Sequence, residues 1–213
     1  GDVGLLTTDG FNFKVDDVQK SGEEYIHLGE LISGNIEKIE NVQAEINVLH
    51  RNAIRRNHTA THLLHQALKD ILGDHVQQAG SMVGKESLRF DLTHYEQITS
   101  EQIVEIEHLI NSIILKNTEV LTEVKTYKKA KEDGAVSLFG EKYGDIVRVV
   151  NVSDFSKELC GGTHVNRTGD IGGFKITSET GLATGIRRLT AITGQAIPKL
   201  ITKQANMIRE IKE

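Results

Sequence analysis

Cysteine is nearly absent from this chain of 213 residues: Cys160 stands alone, so no internal disulfide can form. Nothing in the composition calls for an oxidising compartment, and a cytosolic home fits. Long hydrophobic runs are also missing, and no stretch reads as a membrane span or a secretory signal. Positive charge is not in surplus either. A formal net charge of −5 argues against a module that grips nucleic acid by bulk electrostatics alone. Local basic clusters remain: Arg51, Arg55 and Arg56, then Lys125, Lys128, Lys129 and Lys131, then Arg187 with Arg188. Each reads first as a solvated face, and as a phosphate site only if the fold brings it beside other chemistry. The first residue is Gly1 rather than methionine and the chain opens on a loop, so a segment cut from a longer protein is expected.

Histidine, by contrast, is plentiful, and its placement carries the chemistry. His58 and His62 are four apart, which on a helix stacks both imidazoles on one face and lets them converge on one ion. About a hundred residues later, Cys160 and His164 are also four apart, across Gly161, Gly162 and Thr163. Two glycines let the backbone turn tightly enough to aim a thiolate and an imidazole at one point. A soft thiolate with several imidazoles suits zinc best among common cellular metals. Thr59 follows His58, so this is not the His-Glu-x-x-His of a zinc protease, and no glutamate stands where a zinc deaminase would need one. The bland alternative is a pair of satisfied surface histidines.

Residues 1–50 read as short strands divided by Gly10, Ser21-Gly22 and Ser33-Gly34, a β meander or part of a barrel. Asn57 is placed as the N-cap of the histidine helix, whose apolar positions Ala60, Leu63, Leu64, Ala67, Leu68, Ile71 and Leu72 run to a stop at Gly73. That puts the two histidines at a helix mouth. Leu88, Phe90 and Leu92 alternate as a half-buried strand, and a second helix starts at Thr99 with Gln102 completing a capping box. A strand at 119–126, a lysine-rich short helix ending at Gly134, and strands at 146–152, 173–178 and 185–192 follow. Pro198 opens a final helix. The expected fold class is α+β: a mixed β-sheet with packed helices, preceded by a partial small β-barrel.

Three motifs in order give the chain a family resemblance. Asn57 to His65 reads Asn-His-Thr-Ala-Thr-His-Leu-Leu-His. Gly134-Ala135 is followed by Leu138, Phe139, Gly140, Glu141, Lys142 and Tyr143. Glu158 to Val165 reads Glu-Leu-Cys-Gly-Gly-Thr-His-Val. Together they closely resemble the editing domain of bacterial alanyl-tRNA synthetase, over nearly the whole chain. Free-standing editing proteins and the editing domain of threonyl-tRNA synthetase share the His-x-x-x-His and Cys-x-x-x-His elements. The stretch from Phe139 to Tyr143 and the Cys-Gly-Gly-Thr-His form favour the alanyl enzyme.

The resemblance implies a domain plan of a partial β-barrel (1–50), a zinc-containing editing domain (51–196) and a helix leading to a C-terminal region (197–213). It implies hydrolysis of tRNA(Ala) mischarged with serine or glycine, with tRNA as partner, no membrane role and a cytoplasmic location. ATP and magnesium would belong only to an aminoacylation domain outside these residues. One zinc ion held by His58, His62, Cys160 and His164 would anchor the aminoacyl end and place a water against the ester carbonyl, with His58, His62 and Cys160 counted as catalytic. Four protein ligands close a tetrahedral site, so either one ligand exchanges or the metal orients substrate while another group holds the water.

Gln78 matches the family's glutamine and is the candidate for positioning substrate or water. Thr61 and Thr163 carry hydroxyls near the metal, each more naturally bonded to backbone. His65 reads as packing or a tRNA contact. Asp91 is a candidate to orient a metal-bound histidine. Arg187 and Arg188 face opposite sides of a strand, so one is expected on tRNA phosphates and the other in a structural pair. The rival readings are a noncatalytic zinc-stabilised module that binds tRNA or protein, and a free-standing or threonyl-type editing hydrolase.

Overall fold

The punctuated first segment does form strands. In the computed structural model, which describes residues 1–36, 39–137 and 143–212, these are β1 (Gly4–Thr8), β2 (Phe11–Ser21), β3 (Glu24–Ser33) and β4 (Gln43–Ile46). They pair antiparallel in the order β3-β2-β1-β4. The sheet stays open: among the described residues β3 and β4 are unpaired edges, and no closed barrel forms. This sheet belongs to the first of two compact units, Gly1–Asn52, the second being Ala53–Glu213.

The histidine helix, α1, is longer than its local signals suggest. It runs Val48–Leu72, 25 residues, and Asn47 rather than Asn57 caps it, its side chain accepting from the His50 amide at 2.9 Å. No proline or glycine stands between Val48 and Asn57 to interrupt the turn, so the helix extends through them. His58 and His62 therefore lie mid-helix, not at its mouth. Asn57 is 1% exposed and serves as a latch: Nδ2 donates to Gly84 O at 2.7 Å, and Oδ1 accepts from Thr193 Oγ1 at 2.6 Å. Gly73 ends the helix as expected, with a φ of +114° that favours glycine.

The α+β expectation holds for the second unit. β5 (Gln78–Val83), β6 (Leu88–Thr93), β10 (Phe174–Ala183) and β11 (Ile186–Thr193) form one sheet in the order β10-β11-β6-β5. Its inner face contributes Leu88, Phe90, Leu92 and Leu189 to a core shared with Leu63, Leu64 and Leu68 of α1. Ile106 and Ile110 of α2 (Ser100–Lys116) complete that core, and α2 starts with the expected capping box of Thr99 and Gln102. All named strand pairs are antiparallel, and parallel character among the described residues is confined to the bridge between Val136 and Glu158.

A second sheet, β7 (Val120–Thr126), β8 (Ile146–Val152) and β9 (Ser156–Leu159), is ordered β7-β8-β9, with α3 (Tyr127–Glu132) beside it. The two faces of β8 serve different clusters. Val150 and Val152 join the main core, whereas Val147 and Val149 join Ala130, Ala135 and Leu159. Opposed residues of an antiparallel pair share a face, so Glu158, opposite Val150, points to the main core, and Leu159, opposite Val149, points away. Helix α4 (Ala196–Lys212) follows β11 with Pro198 in its first turn. No described helix is long and apolar enough to cross a membrane. Residues 138–142 of the middle motif lie outside the described residues.

Because Asn57 is a buried latch, Asn57→Ala should cost about 2–4 kcal/mol by orphaning several partners, against about 1 kcal/mol for the exposed cap removed by Thr99→Ala. Denaturant unfolding of the two variants compares them; equal losses would contradict the latch.

Candidate metal centre

Helix α1 and the loop after β9 bring the predicted ligands together. One donor atom from each of His58, His62, Cys160 and His164 lies within 4.8 Å of all the others. Ring centroids are 5.3 Å apart for His58 and His62, 4.4 Å for His58 and His164, and 5.0 Å for His62 and His164. Bonds of about 2.0 Å to three nitrogens and about 2.3 Å to one sulfur of a tetrahedral zinc set donor separations near 3.3–3.5 Å, which side-chain shifts would reach from here. Cys160 Sγ already stands 3.4 Å from His58 Nε2 and accepts from the Gly162 amide at 3.4 Å. Gly162 is required by close approach: a Cβ there would fall on the His58 ring. Arg148 holds the loop from outside, donating from Nη1 to Gly161 O at 3.0 Å.

Hydrogen bonds behind the candidate ligands fix which ring nitrogen faces the cluster. The Thr59 hydroxyl donates to Arg55 O at 3.0 Å and accepts from the Val165 amide at 3.1 Å. Its 3.3 Å contact with His164 Nδ1 is then one in which the imidazole donates, leaving a lone pair on Nε2. His62 Nδ1 lies 2.5 Å from Glu158 Oε2, so Nε2 is the nitrogen left to face the cluster. Both Nε2 atoms are buried and lack a hydrogen-bond partner. Two partnerless ring nitrogens turned towards a thiolate, the His164 lone pair and the His62 Nε2 position whose proton a metal would displace, are well suited to a cation. On this donor set a zinc ion fits.

Electrostatics sharpens the site. Burial pushes the Cys160 thiol up, but the imidazoles of His164, His58 and His62 outweigh it and bring the thiol down to about 3. Burial also disfavours charge on His62, yet the Glu158 charge and the Cys160 sulfur raise it to about 10. Glu158, 3% exposed, is pushed up by burial and pulled down to about 2 by His62 and by the hydrogen bonds from His62 and His65. Burial carries His164 down to about 4, against the pull of Cys160.

The other predicted residues are placed less centrally. Gln78 opens β5 opposite Leu92, and its amide donates to Ser81 Oγ at 3.3 Å rather than to the ligand cluster. Thr61 is buried and donates to Asn57 O at 2.8 Å, whereas Thr163 is exposed on the loop. Asp91 does not orient a histidine. It takes Arg188 in a two-point pair at 2.7 and 2.8 Å, because the β6–β11 register sets the two side by side. Arg187 pairs with Glu179 at 2.5 Å, so both arginines of that dipeptide are engaged within the fold. Arg51 pairs with Asp2, and Lys125 and Lys129 both pair with Asp133. Glu158 is the residue that sequence reasoning missed, although it stands two before Cys160, the spacing that returns a side chain to the same face of a strand.

Comparison with known proteins agrees with the geometry. Residues 147–190 match the family described as threonyl and alanyl tRNA synthetase second additional domain, a span that contains Cys160 and His164. The chain is 51% identical over 211 residues, 99% of its length, to an alanine–tRNA ligase of Legionella pneumophila strain Lens. It is 53% identical over 196 residues, 92% of its length, to that of Hydrogenovibrio crunogenus, and 48% identical over all 213 to that of Thermoanaerobacter sp. strain X514. It spans about a quarter of the length of these curated relatives, 24%, 23% and 24% respectively.

The signs of the shifts predict how metal-free protein responds to pH. His62, raised from 6.5 to about 10, adds stability that is complete below pH 6.5 and is lost as pH rises through about 10. Glu158, lowered from 4.5 to about 2, adds stability that is complete above pH 4.5 and is lost as pH falls through about 2. Cys160, lowered from 9.0 to about 3, adds stability that grows with pH up to about 9 and offsets the His62 loss below that point, so denaturation midpoints of metal-free protein should stay nearly level from pH 6.5 to 9 and decline from 9 towards 10; a midpoint that climbs above pH 9 would contradict the pairing. Zinc uptake at pH 7 should release about one proton, from His62, because the thiol is already ionised. Calorimetry in buffers of different ionisation enthalpy reads that number, and two protons would contradict it.

Proposed function

The chain belongs to the editing-domain segment of the alanyl-tRNA synthetases, and from that footing we propose that it hydrolyses mischarged tRNA(Ala), releasing serine or glycine. The observation that carries this reading is the convergence of His58, His62, Cys160 and His164 on one point. Within the proposed plan, residues 51–196 form the editing domain, 1–50 part of a barrel, and 197–213 a helix leading onward. The setting proposed is the cytoplasm.

Physical chemistry supplies the need for such a site. A pocket built for alanine cannot exclude the smaller glycine by size, and rejecting an added hydroxyl gives only about 10²-fold discrimination. The second site must recognise the serine hydroxyl, because serine is larger than alanine and a size filter would fail. Zinc bound to the four side chains would supply Lewis acidity next to the ester carbonyl. The chain's own residues do the rest. Glu158 and Thr59 hold the Nδ1 hydrogens of His62 and His164, so that both present Nε2 lone pairs. The Gly162 amide and the surrounding imidazoles keep Cys160 a thiolate. Gln78, with donors and an acceptor on one amide, is the proposed group for the serine hydroxyl or the attacking water. The leaving group is a ribose hydroxyl of the terminal adenosine.

Four protein donors favour one rival, since a closed tetrahedral set is the usual form of a folding site. On that reading zinc only stabilises a tRNA-binding module. The two readings separate in one assay: zinc-loaded protein should release serine from serine-charged tRNA(Ala) and spare the alanine-charged form. Cys160→Ala should lower that rate by more than about 100-fold, beyond the 10–100-fold typical of losing a group behind a ligand. Full activity after removal of zinc would defeat the proposal, and inert zinc-loaded protein would favour the rival. Binding of tRNA itself should be weak and fall with salt, because net charge is −5 and Arg51, Arg187 and Arg188 are already paired. Nanomolar affinity at physiological salt, read by filter binding, would contradict this.

A further inference from the structure

His65 lies outside the proposed ligand set, yet it is tied to it. It follows His58 and His62 on α1 at the spacing i, i+4, i+7, which returns it to the same helix face. Its Nδ1 lies 2.8 Å from Glu158 Oε1, while His62 Nδ1 lies 2.5 Å from Glu158 Oε2. One buried carboxylate thus bridges two imidazoles, one oxygen to each. Glu158 and Cys160 reach the same face from β9 and the loop that follows, so the segment delivers a ligand and the group that braces another ligand together.

Packing alone does not account for His65. It is 3% exposed, its ring lies 5.5 Å from Phe90, and its Nε2 is buried without a hydrogen-bond partner. An aliphatic side chain would fill that space without leaving a polar atom orphaned. The bond that the imidazole adds is the one to Glu158. A glutamate carboxyl turns easily about its last torsion, which is broad and nearly two-fold. Held at one oxygen only, it would not define the plane of the His62 ring. Held at both, it does.

We infer that Glu158 and His65 are positioning residues for the metal centre: His65 fixes the carboxylate, and the carboxylate fixes the tautomer and direction of His62 so that Nε2 faces the ion. The inference deepens the proposed function and rests on its reading of His58, His62, Cys160 and His164 as ligands. Substituting glutamine for Glu158 leaves one acceptor and one donor where two acceptors stood, so one imidazole must change tautomer or turn away.

The test is zinc affinity of the full chain, read by competition with a chromophoric chelator, for wild type, Glu158→Gln, His65→Leu, His65→Asn and the double variant Glu158→Gln/His65→Leu. Wild type should bind one zinc; no zinc bound would overturn both this inference and the metal reading beneath it. Glu158→Gln should weaken binding by about 10–100-fold and His65→Leu by about tenfold. His65→Asn, which keeps a donor near the Nδ1 position, should stay within about threefold of wild type. Both single changes act through one carboxylate, so the double variant should match Glu158→Gln within about twofold. Wild-type binding with unchanged affinity in the variants, even with lowered melting temperatures, would overturn the positioning role alone, as would losses that multiply in the double variant. Should Glu158→Gln not fold, the contrast between His65→Leu and His65→Asn decides the positioning role by itself: equal affinities in those two variants would overturn it.

Discussion

The centre depends on one buried contact between distant parts of the chain: the Glu158 carboxylate at the end of β9 meeting His62 and His65 on α1. It joins the helix to the second sheet at the place where the thiolate enters. Without it, burying an anion at 3% exposure would be prohibitive, and the residue would be driven to its neutral form. With it, His62 is held as the donor towards Glu158, and its other nitrogen is kept facing the cluster. The mid-helix position of the histidines follows the same logic. A helix capped at Asn47 and latched by Asn57 has little freedom to fray where His58 and His62 sit, so their geometry is set by the fold.

Charge is arranged in layers around this point. Nearest the cluster stand a thiolate and three imidazoles, behind them the Glu158 carboxylate and the Thr59 hydroxyl, and elsewhere ion pairs that close on themselves. Arg188 with Asp91 and Arg187 with Glu179 are examples of the last kind. Cations engaged in this way contribute little to gripping a phosphate backbone. With a net charge of −5, this distribution disfavours gripping a nucleic acid along its length.

Much of this was legible in the sequence, for identifiable reasons. The clustering of His58, His62, Cys160 and His164 could be read because both pairs have four-residue local spacing, and local spacing survives folding. The capping box at Thr99, the strand at 146–152 and the helix after Pro198 could be read for the same reason. What could not be read depends on contacts made across the chain. Asn57 carries the propensity of a cap, and only the nearby β5–β6 turn and Thr193 make it a latch. Asp91 offers a carboxylate on a strand, and only the β11 register reveals that Arg188 claims it. Glu158 shows one local clue, its spacing from Cys160, but β9 is four residues long and gives no alternating pattern from which to assign its face.

The ligand shell of the zinc-loaded protein, measured by X-ray absorption at the zinc edge, decides whether the four side chains hold a metal. Four-coordinate zinc with one sulfur near about 2.3 Å and three nitrogens near about 2.0 Å is the shell expected of Cys160, His58, His62 and His164. A shell of oxygen and nitrogen without sulfur, or one that keeps its sulfur in Cys160→Ala protein, would contradict it.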